Sequence, residues 1–173
     1  MRTNLSSQIS LNRVSTRYYK PENTIERSVL TRFEKIPTNI YETVDEGVSC
    51  IADEIIRKVQ ERQRDGKFCT IATGTGASLR PLFAELVRRH KEEGVSFRNV
   101  VVFNLYEYYP LTEPNNSSFN QLNELFLKQV DIDPQNVFTL NGTIPQEGVI
   151  DHCHLYEQRI KTYGGIDIAV MGI

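Results

Sequence analysis

From Val44 to Arg64 apolar residues recur at every third or fourth position. Val48, Ile51, Ile55 and Val59 make the stripe, with Ala52 and Ile56 beside it. This spacing predicts one long amphipathic helix whose solvated face carries Asp53, Glu54, Arg57 and Lys58. Asp65-Gly66 ends it, glycine being suited to the left-handed cap. Phe68 to Thr73 is then rich in strand formers. Helical spacing returns with Leu82, Phe83, Leu86, Val87 and His90, which predicts a helix over 79–92 before Gly94. Asn99 to Leu105, NVVVFNL, is a continuous apolar run, the mark of a strand buried on both faces. Phe119, Leu122, Leu125, Phe126 and Val130 predict a helix capped by Ser117 or Ser118. A short strand follows over 136–140, then the turn NGTIP, then a helix from Gln146 to Tyr163 stopped by Gly164-Gly165. Ile166 to Ile173, IDIAVMGI, reads as a second fully apolar strand.

Strands alternating with helices imply an α/β domain with a largely parallel sheet and helices on both faces. Upstream the pattern weakens. Residues 1–21 read as a loosely ordered basic arm, and Asn23 with Glu26 forms a capping box for a short helix over 24–34. Residues 1–35 are thus an arm with a short helix, and 36–173 the α/β part. Ile36 to Thr43, with Pro37, reads as a short edge strand. The chain stops at Ile173, after an apolar strand that no following helix covers. The sequence is therefore expected to be the N-terminal part of a larger domain, truncated after a buried strand.

Composition narrows the function classes. The 173 residues are 24 % charged and 39 % hydrophobic, with a net charge of −2. That balance offers no overall pull on nucleic acid, so no nucleic-acid partner is expected. No apolar run reaches the length of a membrane span, and the N-terminus lacks a secretory apolar core. Cys50, Cys69 and Cys153 form no CxxC pair and read as small buried hydrophobes in a reducing, cytoplasmic setting.

Two stretches carry candidate chemistry. The first is the turn Thr73-Gly74-Thr75-Gly76-Ala77-Ser78 between the first strand and its helix. Glycines let the backbone approach an anion, helix-start N–H groups hold it, and the hydroxyls of Thr73, Thr75 and Ser78 add donors. Ser78 is the expected N-cap and Pro81 falls in the first helical turn. The stretch is neither a Walker loop nor GxGxxG, and a plain tight turn is the other reading. The second stretch is Tyr106-Glu107-Tyr108-Tyr109-Pro110-Leu111, at the carboxyl end of the buried strand. Ligands of open α/β sheets bind there. Glu107 is a candidate acid or base and the tyrosines candidate donors; a loop packed on its neighbouring helix is the alternative. His90 reads as a helix C-terminal residue. His152 and His154, two apart on a helix, point to nearly opposite sides, so no metal site is expected.

The ordered set ATG-turn, EEGVSFRNVVVFNLYEYYPL, VDIDPQNVFTLNGT and LYEQRIKTYGGIDIAVMGI resembles the glucosamine-6-phosphate deaminase (isomerase) family, over roughly Ile36 to Ile173. The resemblance implies the Rossmann-like sugar-phosphate isomerase fold shared with 6-phosphogluconolactonase. It places Thr73, Gly74, Thr75, Gly76 and Ser78 at the substrate phosphate, and Asn104, Tyr108 and Ser118 in the substrate loop. The family loop FNMDEY is Phe103-Asn104-Leu105-Tyr106-Glu107-Tyr108 here, so Tyr106 stands where the family has its proton-shuttling Asp. Tyr106 and Glu107 are thus the catalytic candidates. The implied reaction converts glucosamine 6-phosphate to fructose 6-phosphate and ammonia. It needs no cofactor, because side chains and water suffice for the proton transfers. A phenol of pKa near ~10 is a poor substitute for a carboxylate base at neutral pH, so either Glu107 takes over or the activity is altered or lost. A lactonase or a non-catalytic sugar-phosphate binder are the alternatives. The second half of the family's machinery lies after Met171-Gly172-Ile173, and the 173-residue piece alone is expected to be inactive. Family members range from monomers to hexamers, which leaves a homo-oligomer open.

Overall fold

The computed structural model describes residues 24–25 and 39–172. The chain divides into two units, Met1–Glu42 and Thr43–Ile173. In the first, Thr24 and Ile25 are helical, while the arm and the rest of the expected 24–34 helix lie outside the described residues. The edge strand expected over Ile36 to Thr43 does not form at the described positions 39–43. Thr43 instead accepts the Glu46 N–H at 3.2 Å as the N-cap of the helix expected from Val44.

In the second unit the helix α1, Val44–Arg64, buries Ala52, Ile55, Ile56 and Val59, as its stripe predicts. The strand β1, Cys69–Thr73, leads through a 3-10 turn, Ala77–Leu79, into α2, Arg80–Glu93. Next come β2, Val100–Asn104, α3, Ser118–Leu125, β3, Val137–Phe138, α4, Val149–Thr162, and β4, Ile168–Val170. The four strands are parallel, in the order β3-β2-β1-β4. The chain thus works outward from β1 through β2 to β3, then returns to the other side of β1. The carboxyl ends align, with Thr73 opposite both Asn104 and Val170. Loops after β1 and β4 therefore meet at a topological switch point, where open α/β sheets leave a crevice.

The sheet's alternation sorts its side chains into two cores. Cys69, Ile71, Val100 and Val102 pack with α1, α2 and α3 around Leu82, Phe83, Phe97, Leu122 and Phe126. Ala72, Val101 and Phe103 face Phe138 and the α4 region through Tyr156, Ile160 and Tyr163. All residues of β1 and β2 are buried, as a two-sided parallel sheet requires. Strand β4 departs from expectation. Its Ile168 and Val170 are only partly buried and Ala169 is exposed, because among the described residues β4 pairs with β1 alone. Ile51, expected within the buried stripe of α1, is 44 % exposed for the same reason. It lines a groove of about 520 Å³ that runs along β4, with Ile55, Val170 and Met171. Of the cysteines expected in the core only Cys69 is buried; Cys50 is half-buried and Cys153 exposed. Burial pushes the Cys69 thiol up to about 11, well away from a reactive thiolate. None of the described helices is long and apolar enough to cross a membrane.

One ion pair fastens the edge. Arg62 at the end of α1 bonds the Asp167 carboxylate through Nε at 3.0 Å and through Nη2. Asp167 also accepts the Thr70 N–H at 2.9 Å, and its own N–H donates to the Thr70 carbonyl at 2.9 Å. Burial pushes the Asp167 pKa up, but the Arg62 and Thr70 bonds and the Arg62 charge push it further down, so it lies below the usual carboxylate range. A depressed native value stabilises the fold fully above the ordinary aspartate pKa of about 4, and the contribution is lost as pH falls through the native value. Asp167→Asn is therefore expected to cost about 1–3 kcal/mol at neutral pH and to flatten the loss of stability on acidification. Urea melts of both proteins between pH 7 and pH 3 test this; parallel pH profiles would remove Asp167 from the acid response.

Candidate functional site at the carboxyl ends of the strands

The turn after β1 is built on close contact. A Cβ on Gly74 would lie 2.4 Å from Tyr106 Cε1, so only glycine leaves room for that ring. The Thr75 N–H donates to the Tyr106 hydroxyl at 3.1 Å, and the hydroxyl donates in turn to the Thr75 carbonyl. Thr73 Oγ1 donates to the Gly74 carbonyl at 3.1 Å, and Thr75 Oγ1 lies 2.8 Å from Ser118 Oγ. Ser78 is not the N-cap that was expected. The Leu79 N–H donates to the Gly76 carbonyl at 3.1 Å, which closes a 3-10 turn around Ser78, and Leu79 takes the cap position with no side-chain bond. Ser78 is left exposed and lies across the switch point, where a Cβ on Gly172 would come within 2.4 Å of its Oγ.

Asn104, fully buried at the end of β2, ties the turn to the next loop. Its Nδ2 donates to the Tyr106 carbonyl at 2.9 Å and its Oδ1 accepts Ser118 Oγ at 3.4 Å. Its own carbonyl accepts the Tyr156 hydroxyl at 2.6 Å. The Leu105 N–H extends the β1–β2 pairing by donating to the Thr73 carbonyl at 2.9 Å.

Glu107 has four donors. Oε1 accepts the N–H of Tyr108 at 3.0 Å and of Ser118 at 2.8 Å; Oε2 accepts Ser117 Oγ at 2.7 Å and the Phe119 N–H at 3.2 Å. The carboxylate therefore sits on the N-terminus of α3, where unpaired amides and the helix dipole favour an anion. Burial pushes its pKa up, but the Ser117 hydroxyl and the backbone amides of Ser118, Tyr108 and Phe119 together push it lower still. Ser117 completes the end by accepting the Asn120 N–H at 3.1 Å. Tyr108 is 59 % exposed and points no hydroxyl bond at the loop's other polar groups.

The loop after β3 supports this arrangement from beneath. A Cβ on Gly142 would meet the Tyr108 carbonyl at 2.2 Å and Leu111 Cβ at 2.8 Å. The Leu111 N–H donates to the Gly142 carbonyl at 2.7 Å, and the Tyr109 hydroxyl to the Ile144 carbonyl at 3.2 Å.

The structure thus brings Thr73, Gly74, Thr75, Asn104, Tyr106, Glu107 and Ser118 into one polar network, with Gly76, Ser78 and Tyr108 on its exposed rim. His90 and the other histidines stand apart from it. His90 Nδ1 lies 2.6 Å from the Val95 carbonyl, and His152 Nε2 accepts the Asn141 N–H at 3.0 Å. Among the described residues no group of three His, Cys, Asp or Glu could hold a metal ion.

Two contributors escaped the sequence reading. Tyr156 and Gly142 act through contacts distant in the chain. Gly142→Ala is expected to push the Tyr108 carbonyl aside and to cost about 1–3 kcal/mol, measurable as a lowered melting temperature. An unchanged melting temperature would show that the loop yields freely.

The model of the family "Glucosamine-6-phosphate isomerases/6-phosphogluconolactonase" matches residues 42–173. A glucosamine-6-phosphate deaminase-like protein of Bacteroides thetaiotaomicron is 59 % identical over all of this chain, which spans 26 % of that protein. The glucosamine-6-phosphate deaminase of Dictyostelium discoideum is 32 % identical over 72 % of this chain and 50 % of its own length. A solved monomeric glucosamine-6-phosphate deaminase superposes with a TM-score of 0.68 at 27 % identity, over 77 % of this chain and 53 % of its own. The 6-phosphogluconolactonase of Thermotoga maritima shares the fold, with a TM-score of 0.58 at 20 % identity over 73 % of this chain and 55 % of its own. The chain therefore spans about half the length of several relatives it matches, and about a quarter of the most identical of those named. On this evidence the chain belongs to the glucosamine-6-phosphate isomerase/6-phosphogluconolactonase family.

Proposed function

We propose that the full-length protein is a glucosamine-6-phosphate deaminase of amino-sugar catabolism, producing fructose 6-phosphate and ammonia. The observation that carries this reading is the joining of the β1 turn to the β2 loop at the carboxyl ends of the strands, through Thr75, Ser118 and Asn104, in a chain of this family. The phosphate is assigned to the turn formed by Thr73, Gly74, Thr75, Gly76 and Ser78. Asn104, Tyr108 and Ser118 line the sugar side. In the reaction a proton moves from C2 to C1 of the opened amino sugar, water adds at C2, and ammonia leaves. Glu107 is the ionised carboxylate nearest this chemistry, and its four donors support a positioning role as much as that of base. To act as base it must exchange one of those donors for the substrate.

One observation favours a second reading. Tyr106 stands at the family's Asp position and turns its hydroxyl onto Thr75, so this position offers no carboxylate. Hydrolysis of a 6-phosphogluconolactone, or sugar-phosphate binding without turnover, needs no base at C2.

Assay of the full-length protein separates these. Release of ammonia and fructose 6-phosphate from glucosamine 6-phosphate is expected, reduced at least about tenfold in Glu107→Gln. Full activity in that variant removes Glu107 from the chemistry. Lactone hydrolysis without ammonia supports the lactonase, and thermal stabilisation by the sugar phosphate with no turnover supports the binder.

A further inference from the structure

We propose that Tyr106 is a displaceable plug in the phosphate-binding turn, so that a phosphate group must compete with the tyrosine's own hydrogen bonds to enter. The inference rests on the assignment of the turn to phosphate made above.

Three observations carry it. The Tyr106 ring occupies the space that glycine leaves at position 74, where a Cβ would be 2.4 Å from Cε1. Its hydroxyl takes the Thr75 N–H, one of the backbone donors an anion in this turn would use. The turn's buried hydroxyls are engaged elsewhere, Thr73 with the Gly74 carbonyl and Thr75 with Ser118. In this state the Thr75 N–H and the Thr73 and Thr75 hydroxyls reach an anion only by exchanging a bond they already make.

The surroundings let the side chain leave without moving the loop. Tyr106 is 42 % exposed, so rotation about its own bonds carries the ring toward solvent rather than through the core. Its carbonyl is held by Asn104 Nδ2 at 2.9 Å, and the next residue, Glu107, is fixed on the start of α3. The backbone on both sides is anchored while the aromatic side chain is the mobile part. A carboxylate at position 106 would repel an incoming phosphate; a neutral phenol instead imitates a ligand, donating and accepting within the turn. Ligand affinity is then reduced by the fraction of molecules in which the plug is out. The effect discriminates by ligand class. A phosphate, with several strong acceptor oxygens, can replace the phenol at Thr75; an uncharged sugar has no comparable replacement.

Calorimetric titration of the full-length protein tests this, with inorganic phosphate, glucosamine 6-phosphate and glucosamine as ligands. Tyr106→Phe keeps the ring and deletes both hydrogen bonds; Tyr106→Ala also empties the space over Gly74. Both variants are expected to bind inorganic phosphate and glucosamine 6-phosphate about fivefold to tenfold more tightly than the wild type, with no gain for glucosamine. Equal affinity in wild type and variants overturns the plug while leaving the phosphate site intact. Weaker binding in both variants overturns it too, and makes Tyr106 a ligand contact. Absence of phosphate and sugar-phosphate binding in all three proteins overturns the phosphate assignment, and the plug with it.

Discussion

Four hydrogen bonds converge on the Glu107 carboxylate, three of them from Ser117, Ser118 and Phe119 at the start of α3 and one from Tyr108. A helix start presents amides with no internal partner, and an anion there satisfies several at once. The consequence reaches beyond the helix. Because Glu107 is anchored, the backbone of residues 104–108 is placed relative to α3, and Ser118 is placed against Thr75 in the neighbouring turn. Turn, loop and helix start thus form one polar unit on top of the sheet.

The sheet beneath supplies the rigidity. Parallel pairing aligns Thr73, Asn104 and Val170, so three loops emerge at one level. The two most buried strands carry the two loops that hold the candidate chemistry, while the partly exposed β4 is fastened by Arg62 and Asp167 at its entry. Asp167 also bonds Thr70 of β1, so one carboxylate joins the edge strand, the central strand and the C-terminal end of α1. Loops borne on buried strands move little, which suits the sugar-phosphate site proposed above.

The resemblance implies a carboxylate where this chain has Tyr106. A phenol can bridge the Thr75 N–H and carbonyl at once, which a carboxylate, having no donor, cannot. The residue that resemblance places among the reacting groups is, in geometry, a partner of the turn after β1. Asn104 and Glu107, on either side of it, both bond Ser118 at the start of α3, so the loop is held there independently of the Tyr106 side chain.

Periodicity in the sequence determined the helix from Val44 to Arg64, the buried strands around residues 69–73 and 100–104, and the Ser117 cap, because each depends on residues a few positions apart. The Gly-Thr turn and the Tyr-Glu-Tyr loop also stand out as candidate places for chemistry. The errors of the sequence reading have two causes. Thr43 as a cap and Ser78 within a 3-10 turn rest on bonds three residues apart that the periodicity does not specify, whereas the exposure of Ile51, Ala169 and Cys153 depends on distant neighbours. The contacts that define the site are more distant still. Tyr106 meets Thr75 across 31 residues, and Tyr156 meets Asn104 across 52. Gly142 is required by the Tyr108 carbonyl of another loop. A hydrophobic pattern specifies which face of an element is buried, and so the fold. Which polar atom finds which partner is decided only when parallel strands bring their loops to one edge, since a hydrogen bond needs its atoms placed to within a few tenths of an ångström.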